Sequence, residues 1–166
     1  VRLPKPVVAA VQGVATAAGC QLVASCDLAV ASEAASFATP GVDIGLFCST
    51  PMVALSRNVP RKQAMHMLLT GEGVPAHRAA EIGLVNSVVT AGTERAAAVA
   101  LAKRIAAKSA YTLKVGKEAF YAQAEMPLAE AYRHAAEVMT QNMLARDAEE
   151  GISAFIEKRR PTWEDR

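Results

Sequence analysis

Lys5 to Leu46 reads KPVVAAVQGVATAAGCQLVASCDLAVASEAASFATPGVDIGL, and the order of its apolar runs and turn residues decides the fold. Val7 to Val11 is short, apolar and rich in β-branched side chains, follows Pro6 and stops at Gln12-Gly13. This pattern predicts a strand buried on both faces. The small residues of Ala17 to Cys26, with Leu22 and Val23, predict a closely packed helix that ends at Asp27. Leu28 to Ala31 predicts another strand and Ser36 to Ala38 a third, before Thr39-Pro40-Gly41 turns the chain.

Outward from this segment, Gly41 to Pro51 follows neither the helical nor the strand period and is expected to be a loop, with Ser49 and Thr50 available to cap a helix starting near Pro51. Pro60 is expected to open a helix through Leu69, with Ala64, Met65, Leu68 and Leu69 on one face and His66 within it as a core residue. Pro75 opens a further helix through Ile82, Gly83 closes it, and Leu84 to Val89 predicts the last strand. Beyond Glu94 the pattern is helical: Glu94 to Lys108, Leu113 to Ala124, Leu128 to Ala148 and Glu150 to Arg160. Ala131, Ala135, Val138, Met139 and Met143 form a stripe suited to a core or a subunit contact. The change of pattern divides the chain into residues 1–92, alternating strand and helix, and 93–166, helical.

Lys5-Pro6, Gly13, Ala17-Ala18-Gly19-Cys20, Cys26-Asp27, and Phe37, Pro40 and Gly45 stand in one order and spacing. That frame resembles the crotonase, or enoyl-CoA hydratase/isomerase, superfamily. The LLTGEGVPAHRAAEIGLV stretch and the ending GISAFIEKRRPTW are similar to it too, so the likeness covers nearly the whole chain. The TPGVDIGLFCSTPMVALSR stretch is similar to one particular subgroup. The resemblance implies an α/β fold: a core of repeated ββα turns, whose N-terminal portion is absent from these residues, and a helical C-terminal part used in trimerisation. It also implies an acyl-CoA partner, assembly as a homotrimer or a dimer of trimers, and no cofactor beyond the coenzyme A of the substrate. Location would be cytoplasmic in a bacterium and the mitochondrial matrix in a eukaryote.

The chemistry of such a site starts from the backbone. Negative charge developing on a thioester carbonyl oxygen is stabilised by fixed N–H donors in a dry pocket, one of them at a helix start. By resemblance the Ala18 N–H is one donor, and the small size of Ala17 and Gly19 leaves room for an acyl group to approach. The second donor comes in this family from an upstream loop that nothing here resembles. Two carboxylates add water in family hydratases. This chain has Gln21 where the first belongs and Gly41 where the second belongs, and neither titrates. Ordinary two-carboxylate hydration is therefore doubtful.

Asp43 is the only carboxylate between Pro40 and Pro51. Alternation along an extended turn would put it on the same side as Gly41, so it is the first candidate for a displaced acid or base, although capping of backbone N–H groups is the commoner role of a turn carboxylate. Ser49 falls where some family isomerases carry a carboxylate, and is a candidate for acyl-group contact. Lys158 matches a family lysine that contacts CoA phosphate, with Arg159 and Arg160 adding to the local field. Three readings follow: thioester enolate chemistry without two-carboxylate hydration, a hydratase that uses Asp43 or upstream residues, and a catalytically silent acyl-CoA binding subunit.

Composition excludes other classes. Eighteen Lys and Arg against sixteen Asp and Glu give a net charge of +2, too small to argue for nucleic acid as a partner. No run of eighteen apolar residues suggests insertion into a membrane. Cys20, Cys26 and Cys48 lack CxxC spacing, and the three His are scattered, so neither a disulfide frame nor a metal site is expected.

Overall fold

The computed structural model describes residues 1–166, which form two compact units: Val7–Ala102, and Val1–Pro6 together with Lys103–Arg166. The first carries two three-stranded sheets. In one, β3 (Leu28–Ser32) lies between β1 (Val8–Val11) and β6 (Ser87–Val89), all parallel, with Val8 opposite Leu28 and Val30 opposite Ser87. In the other, β4 (Ser36–Ala38) pairs in parallel with β2 (Val14–Thr16) and antiparallel with β5 (Val74–Pro75). A strand that feeds a crossover and returns parallel requires both faces to be covered. Ala29, Val30, Ala31 and Phe37 are accordingly among the most deeply buried side chains.

Helix α1 (Ala18–Ser25) follows β2 directly and buries Cys20, Val23 and Ala24. Its exit is pinned to the start of β1, because the Val7 N–H donates to Asp27 Oδ2 at 2.6 Å. Helix α2 (Ser49–Asn58) packs on α1, and Asn58 Nδ2 donates to Ala24 O at 2.8 Å. The expectation of a loop from Gly41 to Pro51 is corrected at both ends: Pro40–Ile44 is a 3₁₀ turn, and α2 begins at Ser49. The turn closes through Leu46 N–H donating to Gly41 O at 2.9 Å. Its residues mix Gly with β-branched side chains, so the 3.6-residue period that would announce a helix is lacking.

Helix α3 (Arg61–Thr70) buries Ala64, Met67 and Leu68 and leaves Met65 and Leu69 on the surface, which corrects the expected face. His66 is likewise exposed, with Nε2 3.9 Å from Glu72 Oε2, and is not a core residue. After α4 (Ala76–Glu81), the strand expected from Leu84 is shortened to Ser87–Val89. Asn86 replaces it as a bridge: its N–H donates to Ala29 O at 2.8 Å and its Oδ1 accepts from Ala29 N–H at 2.7 Å.

The second unit holds α6 (Ala110–Gln123), α7 (Leu128–Met143) and α8 (Arg146–Ile156), while α5 (Glu94–Ala106) runs from the first unit into it. The helix expected through Ala148 ends at Met143, and α8 starts at Arg146 instead of Glu150. Of the α7 stripe, Ala131 is buried, Val138 half-buried, and Met139 and Met143 exposed. The C-terminal residues 161–166 strap back onto the helices. Trp163 Nε1 donates to Ala107 O at 2.9 Å, and a side chain at Gly151 would meet the Trp163 ring at 3.3 Å. The buried Asp147 carboxylate accepts from Glu164 N–H at 2.7 Å and Asp165 N–H at 3.1 Å.

Candidate functional site

The start of α1 is the only part of the expected site whose geometry is set by backbone alone. Ala17 stands at φ 48°, ψ −111°, a conformation costly for a residue with a Cβ, and is held there by its N–H donating to Ala38 O at 2.9 Å. The next N–H groups, of Ala18, Gly19 and Cys20, belong to the first helical turn and have no intrahelical acceptor. No side chain caps them, and no acidic residue lies in the first turn. Ala18 is exposed and Gly19 half-buried. The positive end of the helix thus begins at an exposed Ala18 and a half-buried Gly19, without a capping side chain.

Gln21 is half-buried one turn further along. Its hydrogen bonds within the chain run through the backbone: its N–H donates to Ala17 O at 3.0 Å and its carbonyl accepts from Ser25 Oγ at 2.8 Å. The side-chain amide is left for another partner, with one acceptor and two donors to offer.

Gly41 is not merely a missing carboxylate. A Cβ placed on it would stand 2.7 Å from Leu46 O, 2.9 Å from Cys48 Sγ and 3.3 Å from Cys48 N. The first of these is backbone, fixed by the turn that Leu46 N–H closes, so the position excludes any side chain unless the turn shifts. Cys48 is buried beside it, and the Cys20 thiol, buried on α1, is pushed up to about 11 by burial and by the neighbouring Cys48. Both cysteines are free. Thr39, the residue before the turn, is fully buried with no partner for its hydroxyl.

Asp43 is exposed, and its carboxylate lies over the last turn of α3: a Cβ on Gly71 would be 3.1 Å from Oδ2 and 3.2 Å from Oδ1. The premise that Asp43 shares a side with Gly41 is corrected. It held for an extended turn, whereas successive residues of a 3₁₀ turn step about a third of a circle, and Pro40–Ile44 is such a turn. Ser49 is exposed at the first residue of α2, its Oγ donating to Phe47 O at 3.2 Å.

Lys158 is exposed just past α8, at φ 54°. Arg159, expected to add to the local positive field, is instead consumed by carboxylates. It reaches both oxygens of Glu150 at 2.6 and 2.8 Å, and its Nε reaches Glu157 Oε2 at 2.6 Å. Sequence reasoning missed this pairing because the partners are nine residues apart and meet only where the chain turns back. It also missed the filling of the space at Gly41; the Gly itself was the only signal. No helix is long and apolar enough to cross a membrane.

The whole of residues 1–166 matches the family model described as enoyl-CoA hydratase/isomerase. The subgroup that the TPGVDIGLFCSTPMVALSR stretch resembles is that of enoyl-CoA hydratase domain-containing protein 3. The rat mitochondrial protein of that name is 54% identical over 160 residues, 96% of this chain and 53% of the relative. The human crystal structure of that protein superposes with a TM-score of 0.92 at 51% identity, covering 96% of this chain and 63% of that one. A crystal structure of an enoyl-CoA hydratase from Mycobacterium smegmatis gives a TM-score of 0.95 at 54% identity, over 98% of this chain and 63% of that one. The chain therefore spans a little over half the length of the curated relatives it matches. With the ordered motif set and the parallel β1-β3-β6 sheet agreeing with a match along its full length, the chain belongs to the enoyl-CoA hydratase/isomerase family.

Proposed function

We propose that this chain contributes to an acyl-CoA thioester site that stabilises an enolate or oxyanion and does not hydrate enoyl thioesters through two carboxylates. The Ala18 N–H is the oxyanion donor on this chain, with Ala17 and Gly19 keeping the approach clear. The strain at Ala17 supports the reading, since it opens the helix start at a point where no side chain caps it. A second donor would come from outside residues 1–166. In this reading the Gln21 amide hydrogen-bonds substrate or a water, Ser49 contacts the acyl group, and Lys158 meets a phosphate of CoA. Assembly into trimers or pairs of trimers, as the resemblance implies, belongs to the same proposal.

One observation carries the departure from hydration. Leu46 O stands 2.7 Å from where a side chain at residue 41 would begin, so that position is closed to a carboxylate, and Gln21 cannot take up a proton. Each absent acid–base group forfeits a factor of about 10² to 10⁴. The test is turnover of crotonyl-CoA by the full-length protein, alongside a panel of dienoyl, malonyl and hydroxyacyl thioesters. Slow or no hydration with turnover elsewhere in the panel supports enolate chemistry. Binding without any turnover favours a silent acyl-CoA subunit. Fast hydration overturns the reading and moves the search to Asp43 or to upstream residues.

A further inference from the structure

The chain reversal between α3 and α4 leaves a groove on the Val7–Ala102 unit. Gly71, left-handed at φ 69°, ends α3, and its N–H donates to Met67 O at 3.1 Å. Thr70 Oγ1 donates to His66 O at 2.8 Å and accepts from Glu72 N–H at 3.2 Å, so the chain turns tightly and returns through β5, where Val74 lies opposite Phe37. Helix α4 then leaves from Pro75. The two helices and the strand between them border a groove of about 610 Å³, within the range of small-molecule sites.

Its floor is aliphatic. Met67 is 1% exposed, Ile82 7% and Val74 half-buried, and no aromatic ring lines it. The charged groups of the rim are Lys62, Arg78 and one carboxylate, Glu72. Arg78 Nη1 donates to Glu81 Oε2 at 2.7 Å, and Glu72 Oε2 stands 3.9 Å from His66 Nε2. Lys62 has no such neighbour: its ammonium makes no hydrogen bond or ion pair within the chain, and the half-buried Gln63 beside it leaves its side-chain amide unengaged. A free surface lysine is ordinary by itself. A free lysine and a free amide side by side on the rim of an aliphatic groove offer a paired contact to one ligand.

We propose that this groove binds an alkyl monocarboxylate: the carboxylate pairs with the Lys62 ammonium and accepts from the Gln63 amide, and the alkyl chain lies over Met67, Val74 and Ile82. One negative charge matches the one unpaired cation. A phosphate dianion would face Glu72 with no second free cation to offset its charge, whereas each methylene laid on the floor is removed from water. The inference is independent of the acyl-CoA reading, since no residue of the candidate site lines this groove.

The test is isothermal titration of octanoate, acetate and octanamide into the full-length protein, with and without saturating crotonyl-CoA. Octanoate is expected to bind one site per chain at least tenfold more tightly than acetate, which lacks the chain, and than octanamide, which lacks the charge. Octanoate binding should persist with crotonyl-CoA present. Lys62→Met, which keeps an apolar stem without the ammonium, should weaken octanoate about tenfold and leave octanamide unchanged, and Lys62→Arg should retain octanoate binding. Crotonyl-CoA affinity should be the same in all three proteins.

Displacement of octanoate by crotonyl-CoA would put octanoate in the thioester site and overturn the inference while the acyl-CoA reading stands. Octanoate that binds Lys62→Met as well as wild type, that binds no more tightly than acetate or octanamide, or that does not bind at all overturns it too. Crotonyl-CoA that fails to bind sinks the acyl-CoA reading alone, and the comparison of octanoate binding to wild type and Lys62→Met still decides this one.

Discussion

Cys48 Sγ lies 2.9 Å from the point where a Cβ on Gly41 would sit, so a thiol on one side and the Leu46 carbonyl on the other fill the space of the absent side chain. A carboxylate does not fit at residue 41 unless the turn shifts. Overpacking of this kind costs about 1–3 kcal/mol. Gly41→Glu is expected to lose stability on that scale in urea denaturation and to gain no crotonyl-CoA hydration. A Gly41→Glu protein as stable as wild type would show that the turn yields easily.

Gln21 faces no such obstacle, because its amide is not engaged elsewhere in the chain. Gln21→Glu should fold with a stability within about 0.5 kcal/mol of wild type, as is usual for substitutions away from buried contacts. With one carboxylate in place and the other position closed, hydration should rise by no more than the single-group factor of about 10² to 10⁴. The absorbance loss of crotonyl-CoA reads this directly.

Asp43 sits over Gly71 on the α3 side of its turn. Asp43→Asn is expected to leave any thioester turnover within about twofold of wild type, far below the loss that follows removal of an acid–base group. Abolished turnover at an unchanged Tm would make Asp43 catalytic.

The C-terminal strap is predicted to be acid-sensitive. Hydrogen bonding from Arg159 first, and from Thr162 N–H, lowers the Glu150 carboxyl from an ordinary 4.5 to about 2. At Asp147 burial pushes the carboxyl up, but hydrogen bonds from Ser109 and from the Glu164 and Asp165 N–H groups, with the charge of Arg166, outweigh it and leave it below its usual value. A carboxyl depressed on folding adds stability that is complete above its unfolded value and is lost as pH falls through its folded one. For Glu150 that window runs from about 4.5 down to about 2. Urea midpoints should fall across it, and Glu150→Gln should remove its share of the slope.

Cys20 is 1% exposed and its thiol is pushed up to about 11, first by burial and then by Cys48. Since the thiolate is the reactive form, Cys20 should resist iodoacetamide at pH 8 in the folded protein and react fully in urea. Peptide mapping of the alkylated protein checks it.

The amino-acid sequence by itself determined a good deal. It placed β1, α1, β3 and β4 in order, because short apolar runs separated by Gly, Asp and Pro leave few alternatives. It set the small Ala17-Ala18-Gly19 run at the start of a helix, and it showed that Gln21 and Gly41 carry no carboxylate, since identity alone decides whether a residue can titrate. The change to helix after Glu94 was equally plain.

Only the tertiary structure decided what fills the vacated places. The 3₁₀ turn at Pro40–Ile44 has no periodic signature, so the separation of Asp43 from Gly41, and the closure of residue 41 by Leu46 and Cys48, follow from how that turn folds back on itself. The pairing of Glu150 with Arg159 and the strap over Asp147 arise where a chain reversal brings distant residues together. Local patterns encode which elements form and what chemistry each residue can offer. Which side chains meet, and which are left free, depends on contacts between residues remote in sequence, and those are fixed only by packing.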